Sequence, residues 1–259
     1  MQITASSFIV RLAQTDDDIR AAQRLRYEVF VEEMGATVPD EDAKLRLERD
    51  RFDPYFDHLL LIDPDRAGDD LRGVVGVYRL MRNDAARAGI GFYGQSEYDL
   101  SPLLGPDRKT LELGRSCVHA DYRGGMAMHL LWSGLGDYVV EHGIEVLFGV
   151  ASFPGTDLDA LAAPLSFLHH NHLAPADLRV RAQPDHFAPM DRVPVGEIDR
   201  LAALRAIPPL IKSYLRLGGF VGEGAYVDHG FNTVDVCLLM DTARMTAKAR
   251  EVYSRGAKS

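Results

Sequence analysis

The sequence predicts a mixed α/β fold, with one central sheet flanked by helices and interrupted by irregular insertions. Short apolar runs of strand length alternate with amphipathic runs of helical spacing along most of the chain. This order is typical of an α/β protein rather than of a helical bundle or a β-sandwich. Two strand-like runs near the end, about 221–228 and 233–240, are joined by a short turn and predict a terminal hairpin. A hairpin in that place excludes a doubly wound sheet, which would continue with further strand–helix units.

The first third of the chain predicts a strand, a helix and a hairpin. Alternating residues indicate the first strand, and Thr15 or Asp16 caps a helix whose apolar residues recur at helical spacing. A polar stretch then predicts a long loop or short helix, of the kind that often binds ligands. The expected bounds are 8–13 for the strand, 34–53 for the polar stretch, and 58–63 and 73–81 for the hairpin.

The middle of the chain predicts an irregular stretch, a buried strand and a helix that ends near His142, where Gly143 is a suitable stop. Another buried strand and another helix follow. Four prolines indicate an irregular insertion, and a pair of prolines begins a further helix. The irregular stretch is expected at 83–110, the two buried strands at 111–120 and 145–152, and the helix after the second strand at 157–171. The insertion is expected at 175–200, the helix that begins with the prolines at 208–217, and a C-terminal helix and tail at 242–259. All of this is expected to form one domain, 1–259.

Composition limits the classes of function. The chain has 259 residues and a formal charge of −9, which argues against a general nucleic-acid binder. Its two cysteines, Cys117 and Cys237, lie in apolar runs and are expected to be reduced core residues. We find neither a secretory signal nor an apolar run of roughly 20 residues that could span a membrane. The expected location is cytoplasmic, with loose attachment to a membrane surface as the other compatible reading.

The most informative segment is the buried strand 111–118 and the turn that follows it. The turn Arg123-Gly124-Gly125 precedes a helix, and free N–H groups at a helix start favour phosphate. Glu112 could act as a general base, directly or through water; alternatively, Glu112 and Arg115 form a structural ion pair. Three residues apart on a strand, they face opposite ways unless a bulge intervenes. A strand N–H near Val118 could stabilise an oxyanion.

Two further groups of polar side chains are candidates for binding. Lys212 and Arg216 lie four residues apart on one helix, either as a solvated face or as a docking patch for an acidic carrier protein. The histidines at 169, 170 and 172 lack a cluster of cysteines or carboxylates with ligand spacing, so no metal is expected.

Seven segments together resemble the ornithine lipid family of N-acyltransferases. They are 25–30, 56–61, 77–81, 111–118, 147–153, 209–218 and 231–236, in order along nearly the whole chain. This family is similar to the GNAT superfamily and to acyl-homoserine lactone synthases. The resemblance implies a single GNAT-like domain. It assigns substrate-binding or catalytic roles to the residues at the matching positions, namely Arg26, Phe30, Asp50, Asp53, Arg79, Glu112 and Arg115. The tryptophan that the synthases carry after the first helix is absent at Met34-Gly35.

The resemblance also implies an activity. The family moves a 3-hydroxyacyl chain from acyl carrier protein to the α-amine of L-ornithine, which gives lyso-ornithine lipid in the first step of ornithine lipid biosynthesis. Acyl-phosphopantetheine would then be a substrate, with no permanently bound cofactor, and a separate O-acyltransferase would act downstream. Peripheral contact with the inner membrane leaflet is compatible with a lipid product. The open alternatives are glycine, glutamine or lysine as acceptor, or a non-catalytic GNAT-fold protein that binds acyl carrier or lipid.

Overall fold

The computed structural model describes residues 8–66, 73–105 and 108–244. The chain divides into two compact units. Their described parts are 8–66, 73–81 and 113–142 in the first unit, and 82–105, 108–112 and 143–244 in the second. Strand β5 contributes to both, because its first three residues belong to the second unit and the rest to the first.

The first unit is a small sheet with helices. Its elements are β1 (Ile9–Leu12), α1 (Asp16–Arg26), a π-helical segment (Tyr27–Glu33), α2 (Asp40–Leu45), β2 (Asp57–Ile62), β3 (Val74–Arg82), the end of β5 (Thr110–Val118) and α4 (Ala127–His142). The strand order is β1-β2-β3-β5, with antiparallel pairing from β1 to β3. The hairpin predicted for the first third of the chain is therefore confirmed.

Helix α1 begins where the sequence indicates. The Thr15 hydroxyl accepts a hydrogen bond from the Asp18 backbone N–H, and the Asp18 carboxylate accepts one from the Thr15 N–H in return. This reciprocal cap satisfies N–H groups that the first turn leaves without helical partners. The apolar face of α1, with Ala22 and Leu25, packs on Leu60 of β2 in the core. The last turn of α1 consequently lies against the sheet, where Arg26 becomes fully buried.

The second unit contains the longer strands. Its elements are α3 (Asn83–Ala88), β4 (Tyr98–Asp99), the start of β5, β6 (Val146–Pro154), α5 (Ala162–His172), β7 (Arg181–Ala182), β8 (Phe187–Ala188), α6 (Arg200–Ala206), α7 (Pro209–Arg216), β9 (Phe220–Val221), β10 (Ala225–Asp228) and β11 (Thr233–Asp241). The strand order is β5-β6-β11-β10-β8, with β9 also on β11 and β4 paired separately with β7. Thr110–Glu112 pairs with Val146–Phe148 in parallel, and β6 pairs with β11 in antiparallel register.

The mixed sheet with flanking helices and the terminal hairpin confirm the predicted fold class. The irregular insertion 175–200 holds only two-residue strands and single turns, as expected. Two short helices were missed, α3 within 83–110 and α6 just after the insertion. The strand expected at 221–228 is split into β9 and β10, since Gly224 adopts φ +78°, a left-handed conformation that ends regular pairing.

Three further expectations have different outcomes. Cys117 and Cys237 are free and buried, which confirms their assignment to the core, and burial raises the pKa of the Cys117 thiol to about 12. At the C-terminus the structure shows a 3₁₀ turn at Thr242–Arg244, and the rest of the expected helix and tail lies outside the described residues. No helix in the described ranges combines the length and apolar character that crossing a membrane requires. One domain over 1–259 stays a prediction.

Candidate functional site

The first unit contains six charged side chains that alternate in sign around a closed circuit, which we call the ionic ring. Three guanidinium groups and three carboxylates take part, and each contacts two neighbours of opposite charge. In circuit order the members are Arg26, Glu48, Arg115, Asp50, Arg79 and Asp53. Formal charges within the ring sum to zero, which is the condition under which so many charges can be kept out of water.

The contacts of the ring differ in length. Arg26 Nε lies 2.5 Å from Glu48 Oε2, and Arg26 Nη1 lies 2.6 Å from Asp53 Oδ1. Arg79 Nη1 reaches Asp53 Oδ1 at 2.7 Å and Asp50 Oδ1 at 2.8 Å. The two contacts of Arg115 are longer, 3.1 Å to Glu48 Oε1 and 3.6 Å to Asp50 Oδ2. The last of these exceeds hydrogen-bond distance and is an ion contact only.

Local structure fixes the carboxylates of the ring. The Glu48 backbone N–H donates to the carbonyl of Gln23 on α1, and the Gln23 side chain donates to Asp53 Oδ2 at 2.9 Å. Asp53 begins a 3₁₀ turn just before β2. On β3, the guanidinium of Arg79 lies 4.4 Å from the ring centre of Phe56, a cation–π contact. The segment 48–53, which carries the three carboxylates, is thereby attached to α1 on one side and to the sheet on the other.

Electrostatics keep the ring ionised. Burial acts to raise the pKa of Glu48 and of Asp53, but the neighbouring arginines outweigh burial and leave both pKa values lowered. The pKa of Asp50 is lowered in the same way by Arg79 and Arg115. Burial opposes the charge of Arg26, yet Glu48 and Asp53 raise its pKa. The ring is therefore made of charged groups at neutral pH rather than of neutral acids.

Exposure distinguishes one edge of the ring. The side chains of Arg26, Arg79, Glu48 and Asp53 are at most 6% exposed, whereas Arg115 is 14% and Asp50 20% exposed. The resemblance stated from the sequence gives Arg26 and Arg79 substrate-binding roles. Both are sealed inside the ring with acidic partners, so the cation nearest to solvent in the ring is Arg115.

Arg115 also has an unusual backbone. Its φ of +48° is left-handed, a conformation that costs a residue with a side chain about 1–2 kcal/mol. This residue interrupts the extended geometry of β5, which is the irregularity that the sequence reading required before Glu112 and Arg115 could depart from strict alternation. Such strain persists only where surrounding contacts hold it, and here Glu48 and Asp50 hold the side chain.

We predict that stability falls in two stages on acidification. Burial lowers the pKa of His58, so the unfolded state binds a proton below about pH 6.5 that the folded state resists. The lowered pKa values of the ring carboxylates act in the same direction below about pH 4, since stability from depressed acids is lost as pH falls. Urea unfolding at pH 7, 5.5 and 4 measures this. His58→Gln should weaken the first stage without removing it, because burial also lowers the pKa of His172, and it should leave the second stage unchanged. Equal pH dependence in both proteins would contradict the prediction.

Glu112, the predicted base, lies in the second unit. Its residue is 2% exposed, and its two carboxylate oxygens accept hydrogen bonds from the backbone N–H groups of Tyr93 at 2.9 Å and Gly94 at 2.6 Å. Two N–H donors complement a carboxylate charge. They also attach the turn at 93–96 to β5, a contact that sequence spacing could not reveal. Glu112 therefore has a defined anchoring contact, beside its predicted chemical role.

The turn before α4 has the predicted shape, with Gly124 at φ +76° and the helix beginning at Ala127. Arg123 is exposed and paired: its Nη2 lies 2.6 Å from Glu33 Oε2, and its Nε donates to the carbonyl of Val118. Val118 is thus tied to the turn through its carbonyl. The role of the turn 123–125 as an anion cradle stays a prediction.

We predict a difference between the two glycines of this turn. A Cβ on Gly124 would meet no atom within 4 Å, but its positive φ should make Gly124→Ala lower the free energy of unfolding by about 1 kcal/mol. Gly125 does not have a positive φ, and a Cβ there would lie 3.7 Å from the Tyr122 carbonyl oxygen. Gly125→Ala should cost less than about 0.5 kcal/mol. Equal costs in urea unfolding would show that backbone conformation does not decide this turn.

The other predicted residues are dispersed. Phe30 is partly buried and packs against the core of the first unit. On α7, Lys212 donates from Nζ to the carbonyl of Leu204 at 3.2 Å, and Arg216 is exposed. Among the described residues one acidic trio, Glu97, Asp228 and Asp235, has ligand atoms within 4.8 Å of one another. A cluster of acids alone does not define a metal site, and the absence of a metal stays a prediction.

Sequence reasoning missed three residues of the ring and its support, namely Glu48, Gln23 and His58. The available signal was the run Glu48-Arg49-Asp50-Arg51-Phe52-Asp53, in which acids recur at short intervals around one aromatic residue. The run does not show that Glu48 joins two arginines far apart in sequence. Chemically, the ring offers an anion and a cation side by side at its exposed edge, Asp50 and Arg115, supported from behind by four buried charges.

Fold and sequence define the class of this protein. Residues 25–133 match the family model of the acetyltransferase (GNAT) domain. A solved structure of a CoA-dependent acyl-homoserine lactone synthase, BjaI, with SAM and isopentyl-CoA, has a TM-score of 0.52 at 15% identity, over 97% of this chain and 90% of that one. The class is thus a protein with the GNAT fold.

Two relatives identify the family. An L-ornithine N(alpha)-acyltransferase from Rhodobacter capsulatus is 59% identical over 96% of this chain and 95% of its own length. Another protein of that name, from Agrobacterium fabrum, is 44% identical over 94% of this chain and 84% of its own. The chain belongs to the L-ornithine N(alpha)-acyltransferase family, which confirms the resemblance stated from the sequence.

Proposed function

We propose that this protein transfers an acyl chain to the α-amine of L-ornithine. The observation that carries the proposal is the 59% identity, over nearly the full length of both chains, to a protein named for that reaction. The ionic ring supports it, because an amino acid acceptor brings a carboxylate and ammonium groups, and the ring presents a cation and an anion together. Glycine, glutamine and lysine are the competing acceptors.

The proposed donor is a 3-hydroxyacyl chain carried as a thioester on the phosphopantetheine arm of acyl carrier protein. The arm is a substrate in this proposal, so no resident cofactor is required. The turn Arg123-Gly124-Gly125 is the proposed cradle for its phosphate, since it precedes the start of α4. Lys212 and Arg216 on α7 are the proposed contacts for the acidic carrier surface, Arg216 being the more exposed of the two.

The chemistry requires balanced proton transfers. The acceptor α-ammonium loses one proton to give the amine, and the amine nitrogen forms a bond to the thioester carbon. As the carbon–sulfur bond breaks, that nitrogen loses a second proton and the thiolate sulfur takes up one proton. Glu112 is the proposed acceptor of the first proton, through a bridging water, because its oxygens already accept two backbone N–H groups and the residue is buried. A backbone N–H near Val118 is the proposed donor to the oxyanion, the usual source of such stabilisation. The thiolate is a moderate leaving group, since its ordinary pKa is about 8.5.

The proposed product is lyso-ornithine lipid, an amide of a 3-hydroxy fatty acid. Its free hydroxyl is the position that a separate O-acyltransferase would esterify in the next step. Because the product is amphipathic, we propose that the protein works at the cytoplasmic face of the inner membrane through peripheral contact. No nucleic-acid partner is proposed, in keeping with the formal charge of −9.

A purified-protein assay tests the proposal. The chain is incubated with long-chain 3-hydroxyacyl carrier protein and with L-ornithine, L-lysine, glycine or L-glutamine in turn, and the N-acyl products are identified by mass spectrometry. We expect the highest kcat/KM with L-ornithine. Preference for another amino acid would replace the acceptor, and no turnover with any of the four would reject the reaction. Acyl-CoA of the same chain in place of the carrier thioester tests the donor separately.

A further inference from the structure

The longest ion contact of the ionic ring lies at its exposed edge. Arg115 Nη2 and Asp50 Oδ2 are 3.6 Å apart, the longest of the six contacts, and these two side chains are the most exposed members. Each is held from behind by a shorter contact, Arg115 by Glu48 at 3.1 Å and Asp50 by Arg79 at 2.8 Å. This edge therefore presents a fixed cation beside a fixed anion. A ligand that binds between them would replace only one long ion contact.

From this geometry we infer that the Arg115–Asp50 edge binds the zwitterionic head group of the acceptor amino acid. The carboxylate of the acceptor pairs with Arg115, and its α-ammonium pairs with Asp50. This inference rests on the proposed function and names the residues that recognise its acceptor. It also narrows the sequence expectation, in which Arg26, Asp50, Asp53 and Arg79 all had substrate-binding roles.

Distance selects the head group over the distal amine. By standard bond lengths, the α-nitrogen and a carboxylate oxygen of an amino acid are about 3 Å apart. That spacing matches the 3.6 Å between the Arg115 and Asp50 atoms, so the two charge pairs can lie side by side with opposite polarity. The distal ammonium of extended ornithine lies about 6 Å from its carboxylate, by the same bond lengths, and does not match.

The four buried members explain why this edge can stay in place without a ligand. Arg26 and Glu48 fix the guanidinium of Arg115, and Arg79 with Asp53 fixes the carboxylate of Asp50. Pre-arranged charges bind with less loss of side-chain freedom than charges on mobile chains. The edge binds the α-ammonium and carboxylate that all α-amino acids share. Discrimination between ornithine and lysine must therefore come from other residues.

Kinetics of matched variants test the inference. With saturating acyl donor, Asp50→Asn and Arg115→Lys should each raise KM for L-ornithine about tenfold or more, with a smaller change in kcat. Glu32→Gln, which removes an exposed ion pair with Arg46 in the same unit, is the control and should leave KM within about twofold. Urea unfolding of every variant confirms that the folded protein is being compared.

L-Ornithinamide, which lacks the carboxylate charge, gives the decisive comparison. Arg115→Lys should raise KM for L-ornithine but leave KM for the amide within about twofold, since the amide never made the ion pair. An equal effect on both acceptors, or no rise in KM for ornithine in either variant, overturns the inference.

Calorimetric titration with L-ornithine alone keeps the two proposals separate. If the wild-type protein shows no turnover with ornithine, the proposed function fails, and the titration still decides the inference. Binding about tenfold weaker in both variants than in the wild type supports it. No binding to the wild type, or equal binding to all three proteins, overturns it.

Discussion

Arg26→Leu is expected to lower the free energy of unfolding by about 3–5 kcal/mol, as breaking a buried ion pair typically does. The Arg26 side chain is fully buried and is the shared partner of Glu48 at 2.5 Å and Asp53 at 2.6 Å. Leucine of similar volume fills the space but leaves two buried carboxylates with one arginine each. Because those acids are kept ionised by the arginines around them, the loss is electrostatic rather than a matter of packing.

Urea unfolding at pH 7 measures this effect, and the exposed ion pair between Arg46 and Glu32 provides the control. Both of those side chains are more than 40% exposed, so Glu32→Gln should change stability by less than about 0.5 kcal/mol. If Arg26→Leu unfolds at the same urea concentration as the wild type, the ionic ring does not stabilise the first unit. A further comparison at pH 3 should show a smaller difference, since protonated acids no longer need the arginine.

Glu112→Gln is expected to lower kcat for acyl transfer about 100-fold or more, the largest effect on activity, if Glu112 is the general base. The amide cannot accept a proton at neutral pH. The substitution also disturbs the contact between residue 112 and the turn at 93–96. One of the two backbone N–H groups, of Tyr93 or Gly94, would face the amide NH₂ instead of an oxygen. Loss of that hydrogen bond should reduce stability by about 1–3 kcal/mol, so activity has to be compared with a variant in which the same contact is strained.

Gly94→Ala supplies that comparison. An added Cβ at Gly94 would lie 2.9 Å from Glu112 Oε1, so this change strains the same contact and keeps the carboxylate. A general base predicts that Gly94→Ala retains far more activity than Glu112→Gln and keeps the acid limb of the pH–kcat profile. Equal losses in the two variants, with unchanged profiles, would show that Glu112 only anchors the turn at 93–96.

Several elements could be read from the sequence because their causes are local. The Thr15 cap, the hairpin of β2 and β3, and the glycine turn before α4 depend on residues within a few positions of one another. The helix α3 and the division of β9 from β10 depend on weaker signals, short length and a single left-handed glycine, and were missed or merged. The class of enzyme could also be predicted, because the family resemblance extends along nearly the whole chain.

The sequence by itself determined the order of strands and helices, the balance of charge and the set of residues from which a site could be built. Which of those residues meet was decided by tertiary structure. Glu48 and Arg115 are 67 positions apart, and Arg79 and Asp53 are 26 apart, yet each pair is in contact. An ion pair depends on distance in space and on exclusion of water, and neither quantity is encoded in local spacing. Folding alone therefore turns three arginines and three acids into a ring with one exposed edge.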